Sequence, residues 1–288
     1  MLTLKAFAKI NLVLEVLGKR SDGYHDIASI IQTVDTFDIL TFEPAEEIRL
    51  TCTVSGLQAD TNMVLKAGKA LKTATDYKGG AVIGLEKHIP RGAGLGGGSS
   101  DAAVTLTALN MLWGLGLSAE DLCSIGAGLG SDVPFFIYGG TCLAEGRGEK
   151  LTRMPDLQQA WFILLRPNIT AQPAKTARLY AMLRPEYYTT GELVSNAREL
   201  LLKERSISPG LLYNVFEKVA FEAFPGLDKY RDRFRSAGAD EIHLAGSGPV
   251  LFTMRSEKSE AMSIQEELVA QGADSCVISS VKREQIEY

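Results

Sequence analysis

Between residues 90 and 100 the chain reads Pro90-Arg91-Gly92-Ala93-Gly94-Leu95-Gly96-Gly97-Gly98-Ser99-Ser100, and no other stretch limits the fold so tightly. Glycine lets backbone N–H groups turn inward and lets a ligand lie directly on the main chain. Directly downstream, Ala102, Ala103, Leu106, Leu109, Leu112 and Trp113 recur at helical spacing. Ser99 or Ser100 is expected to cap that helix, with Asp101 in its first turn. The first N–H groups of a helix lack internal partners and carry a partial positive charge, so a phosphate settles there without a dedicated cation. The run reads as a polyphosphate cradle.

Other readings stay open at this point. The run is not of Walker type, because no Gly-Lys-Ser/Thr closes it. It holds a literal G-x-G-x-x-G at Gly92, Gly94 and Gly97, behind a strand-like segment at 81–85. A dinucleotide-binding fold would need an acid about 20 residues on, at the end of a second strand. The acids near that distance, Glu120 and Asp121, sit instead in what reads as a helix start capped by Ser118. A merely flexible loop would seldom lie between a strand and a capped helix.

At 288 residues the chain is long enough for two domains, or one large one, around an ample core. A net charge of −5 offers no general attraction to nucleic acid, so an anionic substrate must be held by local features. No apolar run approaches about 18 residues, and Lys5 and Lys9 interrupt the N-terminus, which points away from a membrane span or signal peptide. Cys52, Cys123, Cys142 and Cys276 are scattered without C-x-x-C spacing, and with 3 histidines a structural zinc site is not expected. Reduced thiols and a cytoplasmic enzyme follow as expectations.

From Leu4 to Val16 the residues alternate. Leu4, Ala6, Ala8, Ile10, Leu12, Leu14 and Val16 face one way, and Lys5, Phe7, Lys9, Asn11 and Glu15 the other. Lys9 and Asn11 therefore project side by side from a polar strand face, which alone reads as solvated. A turn is expected at 19–23, strands at 27–34, 38–42 and 48–54, and a helix at 62–74 capped by Asp60 or Thr61. A further helix is expected at 119–127. Asp132 lies between a glycine-bearing turn and the apolar residues 133–136, where an isolated carboxylate is costly unless paired or chemically active; capping a turn is the other reading.

Past a strand at 139–146, residues 153–156 read as a linker, dividing the chain into 1–155 and 156–288. The second part is expected to hold a strand at 161–165 and helices at 173–183, 190–203 and 211–224. A strand–loop–strand at 242–252, a helix at 259–271 and a strand at 276–280 complete it. Gly246, Ser247 and Gly248 alone read as a tight turn. Beside the glycine run they also read as a second set of close backbone amides.

Three separated elements, Lys9-Ile10-Asn11, the run 90–100 and Leu244-Ala245-Gly246-Ser247-Gly248, resemble the three motifs of the GHMP small-molecule kinases, such as those for galactose, homoserine and mevalonate. Ala8-Lys9-Ile10-Asn11-Leu12, Asp22-Gly23-Tyr24-His25, the long form of the glycine loop and Ser131-Asp132-Val133-Pro134-Phe135-Phe136 resemble one branch in particular. Its acceptor is a cytidine diphosphate-linked erythritol of the non-mevalonate route to isoprenoid precursors. The likeness runs over nearly the whole chain. It implies an α+β fold of two domains, an N-terminal half like domain 2 of ribosomal protein S5 and a ferredoxin-like C-terminal half.

The resemblance also implies ATP-dependent phosphorylation of a tertiary 2-hydroxyl. Asp132 would take or orient the hydroxyl proton, and Lys9 would keep Asp132 ionised and neutralise the transferring group. Asn11 would hold substrate near Lys9, Tyr24 would stack on cytosine and His25 would meet its polar edge. Thr176 and Tyr180 align with the cytidine side, and Gly246 and Ser247 are assigned to the substrate. Asn62 matches a position near adenine. Mg2+ would bridge the ATP phosphates, with Ser99 or Ser100 as its protein oxygen. Two departures stand out: Asn214-Val215-Phe216-Glu217 replaces Asn-Asp-Leu-Glu, leaving that acidic slot without an assigned role, and Ser131 replaces a common alanine. The expected partner is a small molecule, with neither nucleic acid nor membrane, for a monomer or weak homodimer. A mevalonate- or homoserine-type kinase, a dinucleotide-dependent oxidoreductase and a non-catalytic nucleotide-binding regulator are the alternatives.

Overall fold

The computed structural model describes residues 1–56, 60–169 and 174–286. Two long strands, β1 (Leu2–Lys19) and β2 (His25–Ala45), pair antiparallel from Leu2 opposite Phe42 to Lys19 opposite His25. Register shifts at Phe7/Ala8, Asn11/Val13 and Val16/Gly18 bend and twist the pair. The two strands expected at 27–34 and 38–42 are one: the interruption between them is a bulge opposite Phe7/Ala8, which kinks the strand without ending it. β3 (Arg49–Cys52), α1 (Met63–Thr75), β4 (Gly80–Glu86), α2 (Gly97–Leu112), α3 (Ala119–Ala127), α4 (Val133–Tyr138), β5 (Thr141–Gly146) and β6 (Lys150–Arg153) follow. β2 is long enough to pair with both β4, along residues 39–45, and β5, along residues 27–32, on the side away from β1.

The second half contains β7 (Trp161–Leu165), α5 (Lys175–Met182), α6 (Glu192–Glu204), β8 (Tyr213–Asn214), α7 (Glu217–Ala223), α8 (Leu227–Ser236), β9 (His243–Leu244), β10 (Leu251–Arg255), α9 (Lys258–Ala270) and β11 (Ser275–Ser279). Its sheet runs β11-β7-β10-β9, antiparallel throughout, the strand order of a ferredoxin-like βαββαβ unit. The helix expected at 211–224 is instead β8 followed by α7, because residues 213–214 add a short parallel strand to β1. α8 has no pattern legible in the sequence: among eight charged or polar neighbours it buries Leu227 and Phe234, two turns apart, too sparse a stripe. Pro173, expected at the head of a helix, lies outside the described residues.

The alternation along β1 does not produce a solvated face. Lys9 and Asn11 are 5% exposed and Glu15 0%, because the strand is covered on both sides. One apolar cluster lies between the two sheets and joins Ile10, Leu12 and Ile30 to Phe162 and Phe252. A second fills the first half around Phe42, Leu71, Leu106 and Phe135, and a third packs α7, α8 and α9 on β7 and β10. The glycine loop does not build a dinucleotide fold: β4, which precedes it, is antiparallel to β2, and α2 leads into α3 and α4 without a returning strand. No helix among the described residues is long and apolar enough to cross a membrane.

A buried charge cluster sets where the loop begins. The Lys87 ammonium, at the end of β4, pairs with Asp38 of β2 and with Asp101 of α2, the latter at 2.8 Å. Asp38 Oδ1 also accepts from the His88 and Ile89 N–H groups at 2.6 and 2.8 Å. Burial pushes the Asp101 carboxyl up, to about 7, against the pull of Lys87. Burial works against the Lys87 ammonium, but Asp101 and Asp38 outweigh it and raise its pKa. Removing one member of a buried ionic cluster strands the others, which typically costs about 3–5 kcal/mol. Lys87→Met is therefore expected to lower unfolding free energy by about that much in chemical denaturation; a loss below about 1 kcal/mol would mean the cluster does not anchor the loop.

Candidate active site

The loop leaves β4 and turns into α2 through Gly96, whose φ of 76° and ψ of 12° are left-handed. Gly96 is the N-cap, and no side chain caps the helix. Ser99 and Ser100 lie inside the first turn instead, and Asp101 is turned to Lys87. The expected serine cap is thus replaced by a glycine one, which leaves the first N–H groups of a 16-residue helix facing the cleft. The expected cap of α1 is also displaced: Asn62, not Asp60 or Thr61, accepts from the Val64 N–H at 2.8 Å. α3, by contrast, begins at the Ser118 capping box as its sequence indicated.

A cleft of about 1150 Å³ runs between the two halves. Residues 90–99 of the loop and Asn62 line it, as do Lys9, Asn11, Asp132, Tyr24, His25, Thr176, Tyr180, Gly246 and Ser247. Ser100 alone among the sequence-derived site residues is not on the wall; it is fully buried and its Oγ has no hydrogen-bond partner. Its place on the inward face of α2 removes it as a metal-oxygen candidate, whereas Ser99 lines the cleft.

Lys9 and Asp132 come together across the sheet, Nζ to Oδ2 at 3.4 Å. Asp132 precedes α4 at its N-cap position without making a side-chain cap bond, so its carboxylate is free to face Lys9. Lys9 Nζ donates to Asn11 Oδ1 at 2.6 Å, Asn11 Nδ2 donates to Ser29 Oγ at 2.8 Å, and Ser29 Oγ donates to the Val13 carbonyl at 2.7 Å. This chain spends the Asn11 amide on aiming Lys9. The Lys9 backbone N–H donates to the Leu95 carbonyl at 3.0 Å, so β1 carries both the ammonium and one edge of the loop.

The third motif meets the loop backbone to backbone. A Cβ on Gly94 would stand 1.8 Å from the Ala245 carbonyl oxygen, and one on Gly246 would stand 2.6 Å from the Gly94 oxygen. Asn214 Nδ2 donates to the Leu244 and Gly246 carbonyls, both at 2.8 Å. Glu217 Oε1 accepts from the Leu244 N–H at 3.0 Å and lies 3.2 Å from His243 Nδ1. The segment that departs from the family pattern therefore retains a job at its two ends, holding the strand that delivers Gly246.

At the far end, His25 stacks on Tyr180 with ring centroids 4.8 Å apart and an 18° interplanar angle. Tyr188 Oη lies 3.4 Å from His25 Nε2. Burial, and then the charge of Lys19, lowers the His25 pKa, which favours the neutral imidazole. Tyr24 is exposed, with the Arg147 guanidinium 4.9 Å from its ring centre. Burial and then the nearby Asp132 charge raise the Tyr180 pKa. Thr176 Oγ1 donates to Ser247 Oγ at 2.9 Å. Lys87, Arg147, Lys175 and Tyr188 also line the cleft and carry no sequence signal: each is a single residue outside any motif, brought in by tertiary packing.

Residues 62–140 match the model of the GHMP kinases N terminal domain, and residues 191–274 that of the GHMP kinases C terminal domain. A 4-diphosphocytidyl-2-C-methyl-D-erythritol kinase of Dehalococcoides mccartyi is 45% identical over 281 residues, 98% of this chain and 99% of that protein. One of Thermodesulfovibrio yellowstonii is 41% identical over 91% of this chain and 92% of its own. A crystal structure of 4-(cytidine 5'-diphospho)-2C-methyl-D-erythritol kinase superposes with a TM-score of 0.81 at 32% identity, covering 97% and 99% of the two chains. The homoserine kinase from Cytophaga hutchinsonii shares the fold, with a TM-score of 0.73 at 18% identity over 98% of this chain and 96% of its own.

The Gly94–Gly246 contact leads to a simple comparison. Gly94→Ala is expected to lower the melting temperature by several degrees, since a Cβ cannot fit against Ala245. Gly98→Ala, whose Cβ would meet only Met63 Cγ at 3.7 Å, is expected to leave it unchanged or raise it, as alanine is the better helix former by about 0.5–1 kcal/mol. Equal melting temperatures for the two variants would remove the contact from the account.

Proposed function

The chain belongs to the GHMP kinase family, and we propose that it transfers the γ-phosphoryl group of ATP to the 2-hydroxyl of 4-diphosphocytidyl-2-C-methyl-D-erythritol. The observation that carries the catalytic part is the Lys9–Asp132 pair, 3.4 Å apart at the open end of the glycine cradle. Phosphoryl transfer depends mostly on positioning and on stabilising charge. Residues 90–99 hold the ATP phosphates, with the free N–H groups at the start of α2 supplying the positive end of a helix dipole. Asn62, which lines the same cleft, is assigned to the adenine side.

Asp132 accepts the proton of the attacking hydroxyl, an assistance that matters because a tertiary alcohol is a poor nucleophile. Lys9 has three N–H donors: one is held by Asn11, one faces Asp132, and the third is left for the phosphoryl group in transit. Tyr24, His25 and Tyr180 form the aromatic end for cytosine, and a neutral His25, with Nε2 beside Tyr188, keeps its other ring nitrogen for the base edge. Thr176 sits one helical turn before Tyr180 and bonds Ser247, and Gly246 adjoins Asn11 beside Lys9, so the three bridge that end and Lys9.

Magnesium fits as an ion carried by the nucleotide. Among the described residues no group of three or more His, Cys, Asp or Glu side chains is placed to hold a metal. Such an ion keeps waters and phosphate oxygens as ligands, and Ser99 is the loop hydroxyl on the cleft wall that would join them. When bound, it would neutralise charge on the ATP phosphates. The boundary near residue 155 is proposed as the join between the two family domains.

The test is a coupled assay of ADP release with the cytidine diphosphate-linked acceptor, run beside mevalonate and homoserine. Turnover of mevalonate alone would overturn the acceptor assignment, and tight NAD binding without ATP binding would overturn the kinase. Asp132→Asn is expected to cut kcat at least ~10²-fold with ATP affinity near that of the unsubstituted chain. Unchanged turnover would remove Asp132 from the mechanism.

A further inference from the structure

Lys175 is a half-buried cation in the cleft that neither the motifs nor the mechanism above uses. Lys175 opens α5, and its ammonium donates to the Ser247 carbonyl at 3.3 Å and to the Gly248 carbonyl. Lys19, at the rim, is exposed, and the two other wall lysines have carboxylates: Lys9 faces Asp132, and Lys87 sits between Asp38 and Asp101. Among the described residues no carboxylate pairs with Lys175. Burial, and then the positive charge of Lys9, pushes its pKa down to about 8. A half-buried ammonium set against neutral carbonyls and near a second cation lacks a counter-charge, and a bound anion would supply it.

The position of Lys175 indicates which anion. α5 carries Lys175 and Thr176 at its start and Tyr180 five residues on, about 7.5 Å along the axis. Tyr180 marks the base end of the cleft through its stack on His25, and Lys9 with Asp132 marks the reacting end. Thr176 and Lys175 both contact the 247–248 turn between those ends. In a nucleoside diphosphate-linked acceptor, the diphosphate lies between the base and the carbon chain that bears the hydroxyl. We propose that Lys175 binds the diphosphate of the acceptor and so selects a nucleotide-linked polyol over a free one. The proposal rests on the acceptor assigned above, and it concerns a residue outside every motif quoted for the family.

The experiment measures kinetics of the full chain and its Lys175→Gln and Lys175→Arg variants with acceptor and ATP each varied, and calorimetric titration of each with cytidine diphosphate and with cytidine. Lys175→Gln is expected to raise the acceptor KM about 10–100-fold, the range for losing a charged hydrogen bond. Its kcat and ATP KM are expected to stay within about threefold, the effect being on ground-state binding of the acceptor. Cytidine diphosphate affinity should fall by the same factor as the acceptor KM rises, cytidine affinity should not change, and Lys175→Arg should recover most of the loss. If the unsubstituted chain does not turn over the acceptor, the functional assignment fails. If it does, but Lys175→Gln keeps its acceptor KM and cytidine diphosphate affinity, the Lys175 proposal fails alone. A rise in ATP KM without a rise in acceptor KM, or an equal loss of cytidine and cytidine diphosphate affinity, also overturns it.

Discussion

The cleft is organised by a place where two main chains touch with no room for a side chain between them. Gly94 and Gly246 belong to different halves, and each would drive a Cβ into the other's loop. That contact fixes how far the ferredoxin-like half stands from the glycine cradle. The surroundings hold both partners to it. On one side the Lys9 N–H is bonded to the Leu95 carbonyl. On the other, the Asn214 amide bridges the Leu244 and Gly246 carbonyls while Glu217 takes the Leu244 N–H. β1 is common to the two sides, because Leu14, five residues after Lys9, pairs with Asn214. A strand shared by both supports makes the three short motifs one site.

Charge in the cleft is arranged locally, against a chain whose net charge is −5. Of the four wall lysines, Lys19 is exposed at the rim, and the other three are not equivalent. Lys87 is enclosed by two carboxylates and serves as a structural tie between β2, β4 and α2. Lys9 has one carboxylate, partly exposed, together with an amide that aims it. Lys175 has carbonyls only. Among these three the degree of neutralisation falls from the loop's root to the cleft interior, and the one left least satisfied has most to gain from an anionic ligand.

The parts of the site that were legible in the sequence are those whose chemistry is local. A glycine run between a strand and a helix, and a carboxylate set between a turn and an apolar run, each carry their own physical signature. The Lys9–Asn11 pairing was legible as spacing but not as burial, since period-two alternation describes which side a residue takes and not what covers that side. β2 was divided in two because a bulge and a turn both interrupt an apolar pattern. β8 was hidden in a helical pattern because two residues of strand are defined by their partner, β1, and not by their own composition. Lys175 was silent for the same reason: its neighbours are carbonyls of a turn some 70 residues away, a fact that exists only after folding.

The misplaced helix cap carries the most information about function. Ser99 and Ser100 are good N-cap residues by type, and a serine cap would have bonded one of the helix's orphan N–H groups through its hydroxyl. The chain begins α2 earlier, at a left-handed Gly96, and leaves the first turn without a side-chain cap. A glycine N-cap gives up little intrinsic stability relative to serine, only a few tenths of a kcal/mol. In return the N–H groups at the positive end of the dipole stay unoccupied, with Ser99 beside them and Ser100 turned into the core. A helix start meant only to be stable would take the hydroxyl cap that its sequence offers within three residues. One suited to receive phosphate oxygens leaves those N–H groups uncapped, and starting α2 at Gly96 does so here.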